Sequence, residues 1–187
     1  MNTAIQLIDP TTSLARIARL PAAERTRSRT VNVRFEEICY RLMVKAMTLP
    51  STATAHAFRP ILEQAAMIPS SAWRFLAADG SDGRKVLVDN DRLKVVLIRW
   101  APGEACDRHL HPKGGGMFTV LEGAIHEEVF LNDHVMHPYA TRVHERSAMS
   151  YIDDSLGAHI VANPYTKAAV TLHAYLKYRT VGARSRQ

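Results

Sequence analysis

The sequence predicts a mainly β domain with helices gathered at its N-terminal end. Three observations carry that expectation. The chain has 187 residues, enough for one compact domain with a sizeable core. Its first third shows apolar residues at helical spacing. After Trp73 the texture changes to short apolar runs separated by turn residues. Runs of that length at close spacing argue for a barrel or sandwich, not a parallel sheet with helices between its strands.

Thr11, Thr12 and Ser13 can cap a first helix through Leu14, Ile17 and Leu20, which Pro21 ends. Phe35, Ile38, Cys39, Leu42, Met43 and Ala46 keep helical spacing over 33–47, closed by Pro50. A third helical segment covers 53–66 and is bounded by Pro69; Pro60 is compatible with either its start or a break. The strands begin at 86–88. Asp89, Asn90 and Asp91 form a turn into a second strand, 93–100, and Pro102-Gly103 turns the chain again. Strands follow at 118–121, 125–130, 150–152, 159–162 and 169–175, punctuated by Glu122-Gly123, Asp153-Asp154, Gly157 and Asn163-Pro164. Between the 125–130 strand and residue 150 the sequence reads as a long loop. Its histidines, with His126 on the strand before it, read as surface residues, and Glu127 and Glu128 as solvated.

Composition removes several function classes. No apolar run is long enough to span a membrane, and the first twenty residues lack the apolar region of a signal peptide, so a cytoplasmic location is expected. Cys39 and Cys106 are too few for a disulfide framework or a sulfur metal site. The formal charge of +6 raises nucleic-acid binding as a reading. The basic residues, however, gather at 25–34 and 177–186 with little aromatic interleaving, which a solvated helix end and a C-terminal tail explain. The expected partners are therefore a small molecule, with no nucleic acid and no membrane, in a monomer or small homo-oligomer.

The chemistry sits in the histidines. In His109-Leu110-His111 the two imidazoles are two residues apart, so on a strand both point to one face and can enter one barrel interior as ligands of one metal. A bare His-x-His is also found at surfaces and in cores. Here it follows Pro102-Gly103, precedes Gly114-Gly115-Gly116, and is answered by His159 on a later strand.

These features resemble the cupin barrel, and within it the cysteine dioxygenase family. The stretch Tyr151-Ile-Asp-Asp-Ser-Leu-Gly-Ala-His159 is similar to that family's third-ligand segment. Val170-Thr171-Leu172-His173-Ala174-Tyr175 is similar to its Ser-x-His-x-Tyr strand, and Trp100, Gly103 and the His109/His111 pair keep its spacing. The similarity runs from about Arg84 to Tyr175. It implies a cupin barrel, expected over 76–180; the helical first third adds little to the resemblance, and a helical region over 1–75 packing on the barrel and a tail over 181–187 are expected beside it. The resemblance also implies Fe(II) held by His109, His111 and His159, with a small thiol and O2 as substrates. Spacing alone leaves the metal open, since imidazole also binds zinc, nickel and copper.

Many cupins carry a glutamate ligand downstream of the His-x-His; Gly116 stands in that place here, so the resemblance implies a three-histidine site. In animal cysteine dioxygenases the same place holds a cysteine linked to the strand tyrosine, a link Gly116 cannot form. Thr171, His173 and Tyr175 alternate on one face. By resemblance they form a relay, with Thr171 in place of the usual serine. Arg84 matches, with a one-residue gap, the arginine that pairs with the substrate carboxylate. Relatives acting on 3-mercaptopropionate instead carry that arginine after the strand tyrosine, where Arg179 and Arg184 lie, and usually have glutamine at the position of Arg84. L-Cysteine, 3-mercaptopropionate and mercaptosuccinate thus stand as candidate thiols. A metal-cupin isomerase and a non-catalytic ligand-binding cupin are the alternatives of other classes.

Overall fold

A computed structural model describes residues 22–74, 83–111, 113–132 and 134–178. Among them, two antiparallel sheets face each other. The larger has the order β1-β2-β8-β3-β6 and the smaller β5-β4-β7. The strands are β1 (Arg84–Asp89), β2 (Leu93–Trp100), β3 (Gly116–Glu122), β4 (Ala124–Phe130), β5 (Ala140–Glu145), β6 (Met149–Ile152), β7 (Ala158–Ala162) and β8 (Ala169–Leu176). This is the mainly β cupin architecture, with its helices N-terminal. The expected helix at 14–20 lies outside the described residues.

Helix α1 runs over Ala22–Thr48, and its last carbonyls are closed from a distance: the Arg92 guanidinium donates to Ala46 O at 3.2 Å and to Leu49 O at 2.7 Å. A cation at a helix C-terminus also answers the negative end of its dipole. A 3-10 turn over Ala55–Phe58 leads into α2 (Arg59–Ala66), with Pro60 in the first turn, so this proline starts the helix and does not break it. No helix among the described residues is long and apolar enough to cross a membrane.

The core has two compartments, and β2 shows why. Leu93, Val95 and Leu97 face the helices, where they join Phe35, Leu42, Phe58, Leu62 and Trp73. Val96, Ile98 and Trp100 face the other way, into the barrel, with Phe118, Val120, Ile125 and Val161. A strand buried on both faces reads as a nearly continuous apolar run, which is the texture of 93–100. Each fully buried leucine or phenylalanine in these clusters contributes about 1.5–3 kcal/mol. The turn between β1 and β2 is held by Asn90, whose Oδ1 accepts from the Arg92 and Leu93 amides at 2.9 Å each.

Two expectations are corrected here. Residues 140–145 form β5, not loop; its side chains are largely exposed and only His144 is buried, so no alternation marks it in the sequence. His109 and His111 stand in an extended segment held to β7 by isolated bridges, not in a regular strand. Ala105 pairs with Ala162 and His109 with His159, so four steps on one side answer three on the other. That extra residue is a bulge, a device that re-aims side chains beside a functional site.

Candidate metal centre

His109 and His159 face each other directly. Their backbones exchange both hydrogen bonds, His109 N to His159 O at 3.2 Å and the reverse at 3.1 Å, so the two imidazoles leave the pair on the same side. Gly157, two residues earlier, has φ +100°, and a β-carbon there would come within 1.9 Å of Phe130 O; only glycine brings the chain into β7 along this path. His111 enters from the bulged segment, with Leu110 between the two histidines turned out to solvent.

Each ligand atom of the three lies within 4.8 Å of the others, and the rings meet edge to face at 4.8 Å between centroids. His111 Nε2 and His159 Nε2 approach to 2.8 Å. Burial, reinforced by the neighbouring histidines, lowers His111 to about 3. Burial also lowers His159, although Glu127 opposes it. Both rings are therefore neutral near pH 7 and offer lone pairs. In His109 the Cys106 thiol beside Nδ1 raises the pKa against the effect of burial. For two rings the outer nitrogen is assigned: His109 Nδ1 bonds Asp107 O and His159 Nδ1 bonds Glu127 Oε1, each at 2.8 Å. Both acceptors require N–H at Nδ1, which leaves Nε2 bare and pointing inward. Three converging imidazole nitrogens fit a divalent transition metal with coordination positions to spare.

Opposite the histidines runs a second chain of hydrogen bonds along β8. Trp100 Nε1 donates to Thr171 Oγ1 at 2.8 Å; Thr171 Oγ1 bonds His173 Nε2 at 2.8 Å; His173 Nδ1 bonds the Tyr175 hydroxyl at 3.1 Å. Burial and the nearby histidines push His173 well down, so it is neutral, and burial pushes Tyr175 up to about 12, so it keeps its proton. The Tyr175 ring lies flat on His111, with centroids 5.4 Å apart and planes at 16°. Gly116 is the residue paired with Tyr175 across β3 and β8. A β-carbon on Gly116 would stand 2.7 and 2.8 Å from two ring carbons of Tyr175. The ring occupies the space that any side chain at 116 would need.

Arg84 pairs with Ile98 in the β1–β2 register, which puts its side chain on the barrel side of the sheet, and its guanidinium carbon is 6.0 Å from the Trp100 ring centre. Its charge reaches His109, His173 and Tyr175. The structure thus brings His109, His111 and His159 together with Tyr175 stacked on His111, while His173 and Thr171 continue along β8 toward Ile98, the residue that pairs with Arg84. Arg179 and Arg184 lie outside the described residues.

Glu127 and His144 depart from the sequence reading. Glu127 is fully buried and His144 nearly so, and they bond each other at 2.8 Å. Ser150 Oγ donates to the same Glu127 oxygen at 2.8 Å. Burial would raise the Glu127 carboxyl, but hydrogen bonds from His144, His159 and Ser150 outweigh it and hold the group far below the usual carboxylate range. The signal was in the alternation: Ile125, Glu127 and Val129 share one face of β4, and both apolar members point inward. Cys39 and Cys106 are free thiols.

A family model described as cysteine dioxygenase type I matches residues 55–186. The chain is 29% identical over 115 residues to cysteine dioxygenase type 1 of Danio rerio, a match covering 57% of each chain. It is 30% identical over 96 residues to cysteine dioxygenase type 1 of Homo sapiens, covering 48% of each. The chain thus spans about half the length of the curated relatives it matches. Among solved structures, a Bacillus halodurans protein is 17% identical with TM-score 0.49, over 56% of this chain and 77% of that one. A cupin domain from Bordetella pertussis is 22% identical with TM-score 0.41, over 51% and 92%.

Proposed function

The chain belongs to the cysteine dioxygenase type I family, and on that premise we propose that it is a non-haem Fe(II) thiol dioxygenase acting on a small carboxylate-bearing thiol, in the first instance L-cysteine. The observation that carries this reading is the convergence of three imidazole nitrogens beneath a tyrosine backed by its own hydrogen-bond chain. The reaction adds O2 to RSH to give the sulfinic acid RSO2H: sulfur loses four electrons, dioxygen gains them, and no further reductant is needed. Fe(II) held by His109, His111 and His159 would supply adjacent open positions for the thiolate and dioxygen, turning a bimolecular encounter into a positioned one.

The protein's own residues do the rest. Arg84, with its planar fork of donors on the barrel side of β1, receives the substrate carboxylate bidentately. In this reading Thr171 accepts from the indole N–H of Trp100 and gives its own hydroxyl hydrogen to His173 Nε2. Neutral His173 carries its proton on Nδ1 and gives that bond to the Tyr175 oxygen. This polarity leaves the Tyr175 O–H free to donate toward the substrate. Ile98, Phe118 and Val120 line the interior and exclude water, which strengthens each of these polar contacts. The free thiols Cys39 and Cys106 fit a reducing, cytoplasmic setting.

A thiol panel on iron-loaded protein tests the substrate. Cysteine, 3-mercaptopropionate and mercaptosuccinate are compared for oxygen consumption in the wild type, Arg84→Gln and Arg184→Gln. With cysteine, Arg84→Gln should raise KM about thirtyfold, as expected for loss of charge-assisted hydrogen bonds, while Arg184→Gln leaves it within about twofold. The reverse pattern, with 3-mercaptopropionate the better substrate, moves the carboxylate handle to the C-terminal arginine. No oxygen consumption with any thiol defeats the dioxygenase reading.

A further inference from the structure

The inward face of β4 reads Ile125, Glu127, Val129, a carboxylate at the centre of an apolar stripe. Packing alone does not place a charge there, because a buried carboxylate is costly unless it is paired and hydrogen-bonded. Here hydrogen bonds reach it from three other strands. His159 of β7 bonds Oε1; His144 of β5 and Ser150 of β6 bond Oε2, all at 2.8 Å. Arg142, half exposed on β5, stands 3.8 Å from Oε2 on the outer side. The cluster therefore ties the smaller sheet to the edge strand β6 of the larger one, and one of its members is a metal-site histidine.

We propose that Glu127 is the positioning residue of the metal centre: it locks His159 with Nε2 turned inward and places one full negative charge directly behind that ring, while His144 and Ser150 hold Glu127 in turn. The inference rests on the three-histidine metal reading. A carboxylate can only accept, so the shared hydrogen belongs to His159 Nδ1 and the lone pair at Nε2 is guaranteed. Three neutral imidazoles leave a divalent ion its whole charge; a buried carboxylate one ring away offsets half of it. Gly116 withholds a carboxylate from direct coordination, and Glu127 supplies the charge through His159 instead. Partners placed behind a ligand in this way sustain both metal affinity and the tuning of the ion.

Glu127→Gln separates this role from packing. The glutamine Oε1 can still accept from His159, and its amide can donate to Ser150 and to His144 once these two present a lone pair, so the shape and the bond to His159 are retained while the charge is lost. Cobalt(II), titrated by competition with a chromophoric chelator, should bind the variant about 10- to 100-fold more weakly than the wild type. The potential of bound iron should also rise, since the anion that favours the higher oxidation state is gone. Equal cobalt(II) affinity and an equal iron potential in a folded Glu127→Gln variant overturn the proposal. Should that variant fail to fold, Ser150→Ala reads the same chain from its far end and should weaken cobalt(II) about threefold; unchanged affinity there overturns it. A wild type that binds neither cobalt(II) nor ferrous iron, or a His109→Ala variant that binds them equally well, defeats the metal reading beneath it.

Discussion

Replacing His109 by alanine should strip the protein of its metal and lower oxygen consumption with a thiol by about a thousandfold or more, the loss expected when several kcal/mol of metal-centred stabilisation disappear. His109 is the ligand whose removal is easiest to interpret. It is half-buried, and among the described residues its Nδ1 meets the Asp107 carbonyl and, at 3.8 Å, the Cys106 thiol. Its backbone pairing with His159 does not depend on the side chain. The variant should therefore fold and melt close to the wild type. His159→Ala has a second effect: it removes one of the donors on the buried Glu127 carboxylate and should cost about 1–3 kcal/mol in stability besides the metal. Calorimetry beside metal analysis separates the two. An active His109→Ala protein would show that the three nitrogens converge without holding the reacting metal.

Tyr175→Phe should lower kcat by about a hundred- to a thousandfold while metal content and KM for the thiol stay near wild type, the range for loss of a positioned proton donor. The substitution keeps the ring, so the stack on His111 and the close approach to Gly116 survive, and only the hydroxyl is removed. What His173 Nδ1 loses is one hydrogen bond, about 1 kcal/mol of stability. Because burial pushes the phenol up to about 12, the donor stays protonated throughout the neutral range. Any loss of rate near pH 7 in the wild type must come from another group. Full turnover in Tyr175→Phe would remove the relay from the chemistry and favour a different metal-cupin reaction, such as an isomerisation.

The strands were readable where one face or both are buried. Residues 93–100 and 169–175 are largely apolar, broken only by Lys94, Arg99, Thr171 and His173, because each supplies the helical cluster on one side and the barrel interior on the other. β5 was not readable, because five of its six side chains lie at least partly in solvent and it has no apolar face to announce it. The same cause hid His144, which sits at the one buried position of that strand. Glu127 was missed for a different reason. A charged residue between two inward apolar positions reads as solvated by its type, while its register puts it inside. The three ligands were legible as a set, but the bulge that lets His109 and His159 face each other was not. It arises from a one-residue mismatch between two distant segments, and pairing register is a tertiary property that local sequence does not carry. Gly116 was legible as an absent ligand; that it also makes room for the Tyr175 ring emerged only from the β3–β8 register.

The fate of isotopically labelled dioxygen tests thiol dioxygenation most directly. Iron-loaded protein is given L-cysteine under labelled O2, and the product is weighed by mass spectrometry. The expected product is a sulfinate carrying both labelled oxygen atoms, formed with one O2 consumed per thiol. A product with one labelled atom or none, or oxygen consumed with only disulfide formed, would contradict thiol dioxygenation.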